Sequence, residues 1–340
     1  MENSHPMESP LVSILCMTYN HEANVAKTLD GFLMQETDFP FTIWIHDDAS
    51  TDDTQAILLE YQSCHPDQIR LTLQSENQFA LGVKPLLKYV LPHVHSKYIA
   101  FCEGDDFWTD KSKLQRQVDV LERQPHLSLC AHGVDLTFEH GVKPQSNFYT
   151  KPKAGDFEFS FLEELTSPFF SSASILLKTS DFKRLPPAKG RASVISGDLR
   201  LFLFLLSLGN GYYIDRPMAR KRKNPGGITQ SDKYRNLLLE GTYEMLLYVK
   251  PFAPRNARAH IRKSLAEFER HFVLTKKSLK DHTRLQLTWR ALRHDPLWFR
   301  RRPPFRFWSG FVPENSFTML SLRSLILGLF NVRSNFDSKD

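Results

Sequence analysis

Short apolar runs alternate with amphipathic stretches over the first third of the chain. The apolar runs predict buried strands at 11–17, 41–46, 69–73 and 97–102. Between and after them, apolar residues recur at helical spacing, which predicts helices at 22–35, 52–63 and 111–123. Strands that alternate with helices of about ten to fifteen residues indicate βαβ units, so we predict an α/β fold with a mostly parallel sheet.

The pattern changes further along the chain. A polar segment at 141–155 predicts a loop, and later strands and one helix are predicted at 127–132, 171–178, 212–214 and 198–208. From residue 232 onward the pattern is helical and basic. We therefore expect a disordered N-terminus at 1–10, an α/β domain at 11–230 and a mainly helical, basic C-terminal region at 231–340.

Polar segments follow three of the predicted strands. They are Thr18-Tyr19-Asn20, Asp47-Asp48-Ala49-Ser50 and Glu103-Gly104-Asp105-Asp106. Ligands bind beyond the carboxyl ends of parallel strands, so these segments are candidates for a site. The carboxylates of the third segment repel one another unless a cation or hydrogen-bond donors compensate, and a hard cation such as Mg²⁺ or Mn²⁺ prefers oxygen ligands. The alternative is an Asp-rich turn that caps the helix near residue 111.

The second segment continues through Thr51, Asp52 and Asp53 into a predicted helix. Capping of that helix explains Ser50 and the residues after it. It leaves Asp47 and Asp48 unexplained, and a carboxylate at that place can accept a hydrogen bond from a nucleotide base or a ribose hydroxyl.

Composition narrows the class of protein. Apolar residues make up 41% of the 340 residues, which suffices for a large core. The four cysteines are widely spaced, which argues against a disulfide framework and favours a reducing compartment. Neither a leader peptide nor a membrane span is evident, so we expect a soluble, cytoplasmic protein, with peripheral contact to the inner face of the cell membrane as an option. The formal net charge, counted as Lys and Arg minus Asp and Glu, is −5 over residues 1–230 and +11 over residues 231–340.

The ordered set of motifs resembles the family 2 glycosyltransferases, which have a GT-A fold. The resemblance covers about 10–230 and is carried by 11–20 (LVSILCMTYN), 47–53 (DDASTDD) and 101–108 (FCEGDDFW). It implies nucleotide contacts from Thr18, Asn20, Glu22, Asp48 and Asp105. It also implies a Mn²⁺ or Mg²⁺ ion held by Asp106 and Asp105. Glu103 departs from the commoner Asp, and its extra methylene argues against direct metal binding.

The same resemblance implies a catalytic carboxylate at the start of a later helix. The segment 196–200 (SGDLR) matches, so Asp198 is the candidate base that removes a proton from the acceptor hydroxyl in an inverting transfer. A helix N-cap is the alternative role for Asp198.

Other candidates are weaker. Trp108 suits stacking on a sugar or packing in the core, and Ser171 and Ser172 match the acceptor side of the family only loosely. The basic segment 221–227 (KRKNPGG) suits contact with a diphosphate, although a solvated loop is favoured.

The aromatic and arginine-rich stretch from Trp289 to Phe311 suits three kinds of partner. It fits an anionic membrane surface, or packing on the catalytic domain or in an oligomer, and nucleic acid is least favoured because no such module is evident.

We therefore expect transfer of a sugar from a nucleotide-diphosphate sugar, UDP-linked by preference, to a carbohydrate or glycolipid acceptor in surface polysaccharide or lipopolysaccharide synthesis. A dinucleotide-dependent oxidoreductase is excluded because no G-x-G-x-x-G follows the first strand. A non-catalytic nucleotide- or carbohydrate-binding protein on the same fold stays open as the alternative.

Overall fold

The computed structural model describes residues 9–138, 149–187, 197–223, 232–275 and 281–294. Its strands are β1 Val12–Thr18, β2 Phe41–Asp47, β3 Ile69–Leu73, β4 Tyr98–Phe101, β5 Phe107–Trp108, β6 Leu127–Phe138, β7 Phe157–Phe159, β8 Leu176–Lys178 and β9 Asn210–Lys223. Its α-helices are α1 Val25–Leu33, α2 Thr54–Cys64, α3 Lys113–Arg123, α4 Phe161–Thr166, α5 Thr179–Lys183, α6 Gly197–Leu208, α7 Asp232–Val249, α8 Arg255–Thr275 and α9 Asp281–His294. The protein is thus a mixed α/β structure with a helical region at its C-terminal end.

One central sheet joins the strands in the order β3-β2-β1-β4-β8-β6-β9-β5, with β7 paired to β9. The first four strands are parallel, as the sequence predicts. Beyond β4 the sheet continues through antiparallel pairs, and only the long β6–β9 pair is parallel again. The sheet is therefore mixed, with both parallel and antiparallel pairs.

Two apolar clusters cover the two faces of this sheet. Strand β1 contributes to both, since Leu15 faces one cluster while Ile14 and Cys16 face the other. Full burial on both faces explains why the run 11–17 is apolar at every position except Ser13 rather than alternating.

The predicted elements between residues 11 and 123 are confirmed, with ends that differ by up to three residues, and the predicted strand at 127–132 is confirmed but continues to residue 138. The predicted strand at 171–178 is wrong in its first half, where Ser172–Ser174 forms a 3₁₀ turn. The predicted strand at 212–214 is the middle of the much longer β9. Of the predicted loop at 141–155, residues 141–148 lie outside the described part of the chain.

The helices α7 and α8 share a core with the sheet. Phe202 of α6, Met245 of α7 and Phe268 of α8 are buried in the same apolar cluster. Helix α9 is tied to α8 because His294 Nδ1 lies 3.0 Å from the buried carboxylate of Glu269.

Trp289 is 66% exposed, and the rest of the aromatic stretch beyond residue 294 lies outside the described residues. No helix in the described ranges is long and apolar enough to cross a membrane.

Candidate functional site

Asp47 organises the segment that follows β2. Its buried carboxylate accepts hydrogen bonds from the hydroxyl of Thr18 at 2.8 Å, the N–H of Ser50 at 2.9 Å and the amide of Gln55 at 2.6 Å. The hydroxyl of Ser50 is a further donor to it. Asp47 therefore has a structural role that the sequence alone did not indicate, and the Thr18 hydroxyl is engaged with it.

The loop after β1 is cross-linked to the loop after β2. Asn20 adopts a positive φ of 55°, which turns its side-chain oxygen toward the N–H of Thr51 at 2.8 Å. The N–H of Asn20 in turn donates to the hydroxyl of Ser50 at 2.8 Å. Glu22 accepts from the N–H of Asp53 at 3.0 Å. These bonds bring two of the predicted nucleotide-binding residues, Asn20 and Glu22, to the edge of the sheet beside Asp48.

Asp48 lies at the same edge, and its side chain reaches toward the loop after β3. One carboxylate oxygen accepts from the N–H of Gln78 at 2.8 Å and the other from the N–H of Phe79 at 3.0 Å. A carboxylate has about four acceptor positions, so Asp48 retains capacity for a donor from a nucleotide base. His46 is fully buried beneath it, stacked on Tyr89, with Nε2 3.5 Å from Asp48.

The acidic turn after β4 brings three carboxylates together. One oxygen each from Glu103, Asp105 and Asp106 lie within 4.8 Å of one another, with Glu103 exposed, Asp105 half-buried and Asp106 buried. This oxygen-rich set has the donor chemistry that Mg²⁺ and Mn²⁺ prefer. The sequence analysis set Glu103 apart from the other two, but the structure groups it with them.

Gly104 allows this turn to sit against the end of β1. A Cβ at this position meets Thr18 Cγ2 at 2.5 Å and His21 Nδ1 at 2.7 Å. The Gly104 N–H also donates to the carbonyl of Met17 at 2.9 Å, so the turn has little room to move away.

We expect Gly104→Ala to lower the free energy of unfolding by about 1–3 kcal/mol, because the added methyl forces the turn and the β1 loop apart. Chemical denaturation measures this change. Gly197→Ala is the matched control, since its added methyl meets no atom of the described residues within 4 Å. Equal stability of the two variants would contradict the close approach.

Strand β9 holds the acidic turn from the other side. The N–H of Arg222 donates to Asp106 at 2.9 Å, and the Arg222 guanidinium donates to the carbonyl of Asp105 at 3.0 Å. The guanidinium also lies 4.8 Å from the centre of the Phe107 ring. Burial, with the nearby charge of Asp105, raises the pKa of Asp106 to about 7, although Lys221 and Arg222 oppose the shift. A cation bound at this turn would favour the charged form of Asp106.

Asp198 belongs to the same electrostatic cluster. The side chain of Glu103 keeps contact with solvent, but the protein around it limits its hydration. This loss of hydration, together with the charges of Asp198, Asp106 and Asp105, raises the pKa of Glu103 to about 8 against the opposing effect of Lys221. Asp198 itself is exposed in the first turn of α6. Asp198 and the acidic turn, from two distant stretches of the chain, thus lie close enough to interact, and we call the region between them the cleft.

Lys221 is the main counter-charge in this cleft. Burial alone would lower the pKa of Lys221, but Tyr149 and the carboxylates of Asp106, Glu103 and Asp198 outweigh it and raise the pKa. The sequence favoured a solvated loop for 221–227, and this is wrong for Lys221 and Arg222, which lie within β9. Residues 224–227 lie outside the described part.

Trp108 lies in the core. It is 2% exposed, its indole N–H donates to the carbonyl of Ala173 at 3.0 Å, and its ring packs against Phe32. The interpretation of Trp108 as a sugar-stacking residue is therefore wrong, and its core alternative describes it. Ser171 is buried with a hydroxyl that has no partner, whereas Ser172 is half-buried.

A concavity of about 580 Å³ lies at the opposite edge of the sheet. Leu127 at the start of β6, Lys178 at the end of β8 and Leu208 at the end of α6 contribute to its wall. It contains none of the acidic residues above, so its size does not make it the candidate active site.

Comparison with known proteins gives an uncharacterised relative and others whose names describe sugar transfer. The uncharacterised Mycobacterium tuberculosis protein Rv1520 is 42% identical over 132 residues, which is 39% of this chain and 37% of that protein. The putative glycosyltransferase EpsE of Bacillus subtilis is 27% identical over 63% of this chain and 74% of its own length. The Escherichia coli enzyme WfgD, a UDP-Glc:α-D-GlcNAc-diphosphoundecaprenol β-1,3-glucosyltransferase, is 29% identical over 34% of this chain and 42% of its own. The match to the first of these relatives thus spans little more than a third of its length.

Solved structures share the fold. Staphylococcus aureus TarS 1–349 in complex with UDP-GlcNAc matches with a TM-score of 0.56 and 20% identity, covering 83% of this chain and 79% of that one. The mannosyltransferase PcManGT of Pyrobaculum calidifontis, in complex with GDP-Man and Mn²⁺, matches with a TM-score of 0.52 and 16% identity, covering 95% and 82%. At these identities the likeness shows the GT-A fold.

The family model described as glycosyl transferase family 2 matches residues 13–185, which is half of the 340-residue chain. This range contains β1 to β8 and with them the cross-linked loops, Asp48 and the acidic turn. The chain belongs to glycosyl transferase family 2.

Proposed function

We propose that this glycosyltransferase moves a sugar from a nucleotide-diphosphate donor, UDP-linked by preference, to a carbohydrate acceptor of a surface polysaccharide or lipopolysaccharide, with inversion at the anomeric carbon. One observation carries the proposal. The exposed carboxylate of Asp198 shares a cleft with the acidic turn, since both act on the pKa of Glu103 and of Lys221. A single displacement needs a base and a diphosphate site within the same cleft.

The nucleotide is assigned to the edge formed by the first strands. Asp48 is the proposed acceptor for a base N–H, and Asn20 and Glu22 line the adjacent loop. The complexes of TarS with UDP-GlcNAc and of PcManGT with GDP-Man support a nucleotide-sugar donor here. The name of WfgD, a UDP-glucose-dependent enzyme, favours UDP.

The acidic turn fits a divalent cation. Asp105 and Asp106 would hold it, because their oxygens lie together and the pKa of Asp106 is raised by burial and by Asp105. The Mn²⁺ in the PcManGT complex supports this assignment. When bound, such an ion offsets the negative charge on the leaving diphosphate.

The remaining chemistry belongs to side chains. Asp198 accepts the proton of the acceptor hydroxyl. The oxygen of that hydroxyl attacks the anomeric carbon, and the bond from this carbon to the diphosphate oxygen breaks. Lys221 and Arg222 flank the acidic turn and contribute positive charge near the leaving group. The cytoplasmic location and peripheral membrane contact stay predictions.

A thermal-shift screen of nucleotide sugars with and without Mn²⁺ tests the donor. We expect UDP-sugars to raise the unfolding temperature most. A free energy of stabilisation of about 2.7 kcal/mol corresponds to donor at 100 times its Kd, and this effect should shrink when EDTA replaces Mn²⁺. No response to any nucleotide sugar would contradict the proposal. Binding without hydrolysis or transfer would instead support the non-catalytic alternative.

A further inference from the structure

The loop after β3 contains a tight turn that carries exposed apolar residues. The N–H of Gly82 donates to the carbonyl of Phe79 at 3.0 Å, and Gly82 has a φ of 78°, a conformation that glycine adopts without strain. Phe79 is 49% exposed, Leu81 is 59% exposed, and Ala80 between them is exposed as well. We call residues 79–82 the apolar tip. Consecutive exposed apolar residues of this kind are typical of an interaction surface.

Hydrogen bonds hold the apolar tip at its base. The carboxylate of Asp48 accepts from the N–H of Gln78 at 2.8 Å and from the N–H of Phe79 at 3.0 Å. The N–H of Val83 donates to the carbonyl of Gln78 at 3.0 Å, and the hydroxyl of Tyr89 donates to the side-chain oxygen of Gln78 at 2.8 Å. The turn is therefore fixed from both sides while its apolar side chains stay exposed.

The segment that carries the apolar tip is basic. Residues 77–102 contain three lysines and no Asp or Glu, and Glu76 is the acid that precedes them. Leu87 and Lys88 are both exposed in the single π-helical turn Leu86–Val90, which the hydroxyl of Tyr89 ties to the base of the tip. Apolar side chains beside lysines suit the surface of an anionic membrane, because the apolar groups enter the lipid while the ammonium groups meet the headgroups.

We propose that the apolar tip, together with Leu87 and Lys88, is a contact surface for a membrane that contains anionic lipid. In a symmetric dimer through this surface, each lysine would lie close to the lysines of the other copy, which disfavours a second copy as the partner. The inference goes beyond the proposed function, since it concerns the surface of the domain and not the transfer. Because Asp48 holds the tip, this contact places the edge of the sheet near Asp48 close to the lipid.

A nitrobenzoxadiazole dye attached at the tip reports the contact directly. The full-length chain carries Cys64→Ser, because Cys64 is the exposed one of the four cysteines, and the dye is attached through Leu81→Cys. With vesicles of phosphatidylglycerol and phosphatidylcholine in equal parts, we expect the dye emission to rise and shift to shorter wavelength. The matched control carries the dye through Leu59→Cys. Leu59 is 50% exposed on α2 beside Glu60, and its dye should not respond.

Sedimentation with the same vesicles measures the affinity of the unlabelled chain. Leu81→Gln should weaken vesicle binding by about tenfold, because the apolar surface of one exposed leucine no longer enters the lipid. Leu59→Gln should bind as the wild type does. Both substitutions change exposed side chains, so the unfolding temperature of each variant should match that of the wild type.

The contrary results are distinct. Unchanged emission of the dye at residue 81 overturns the proposal even if the chain sediments with the vesicles, since another part of the chain then makes the contact. An equal response to vesicles of phosphatidylcholine alone overturns the anionic partner. A dimer in lipid-free buffer that Leu81→Gln converts to a monomer assigns the tip to a second copy and also overturns the proposal. Neither assay contains a nucleotide sugar, so these results do not depend on whether the proposed function holds.

Discussion

Asp198→Asn is expected to lower the rate of sugar transfer by a factor of about 10³, because the amide cannot accept the proton of the acceptor hydroxyl. Donor affinity should stay unchanged, since the nucleotide is assigned to the far edge of the cleft near Asp48. The two quantities are measured separately, by transfer kinetics and by donor titration followed through thermal unfolding. A loss in the turnover number alone is the signature of an interaction made in the transition state.

The matched control is Asp181→Asn, an acid in the first turn of α5 that pairs with Arg184. It removes one carboxylate from a helix start without touching the cleft and should leave transfer intact. If Asp198→Asn turned over at a near-normal rate, its role as base would be rejected, and helix capping would be the better description.

Asp106→Asn should abolish the effect of Mn²⁺ on donor binding. The substitution keeps an oxygen that can accept from the N–H of Arg222, so the turn should stay in place while it loses a negative charge. Without metal, the variant should be more stable than the wild type at neutral pH. The pKa of Asp106 is raised from 3.8 to about 7 in the folded chain, so folding favours its protonated form and stability falls as the pH rises from about 4 to 7.

The loss of stability that ionisation of Asp106 causes is on the order of 3 kcal/mol, given the burial of Asp106. It is measured as the difference in unfolding free energy between variant and wild type at pH 4 and pH 8, each in EDTA. The control is Asp110→Asn, which lies outside the acidic cluster. Its side-chain oxygen can still accept the hydrogen bond from the N–H of Ser112. Donor binding by Asp106→Asn that still responds to Mn²⁺ would remove this residue from the metal site.

The first four strands were predictable because they are short apolar runs, and helices α1 and α2 separate the first three of them. The antiparallel half was less predictable. Strand β9 runs from Asn210 to Lys223, and its last residues are all polar, so hydrophobic pattern gives them no strand signal. Their conformation comes from pairing with β6, a tertiary effect that a single sequence does not display.

The candidate site also has a part that the sequence predicts and a part that it does not. The acidic residues that end β2 and β4 stand out because carboxylates cluster there without local counter-charges. A solvated loop was favoured for Lys221 and Arg222 since two of the carboxylates that they balance, Glu103 and Asp106, are more than a hundred residues earlier in the chain. Asp47 was misjudged for a different reason. Its four donors come from three separate places in the sequence, which made a structural role look like a ligand-binding one.

The cross-links between the loops after β1 and β2 have a consequence for the thermodynamics of donor capture. The backbone of this region is already fixed by bonds from Asn20 and Glu22, so nucleotide arrival there requires little loss of chain entropy. The affinity for the nucleotide at this edge then depends on its fit to a rigid template, and not on ordering of the two loops during binding. A rigid template discriminates among bases by shape, and any adaptability toward different sugars must come from other parts of the cleft.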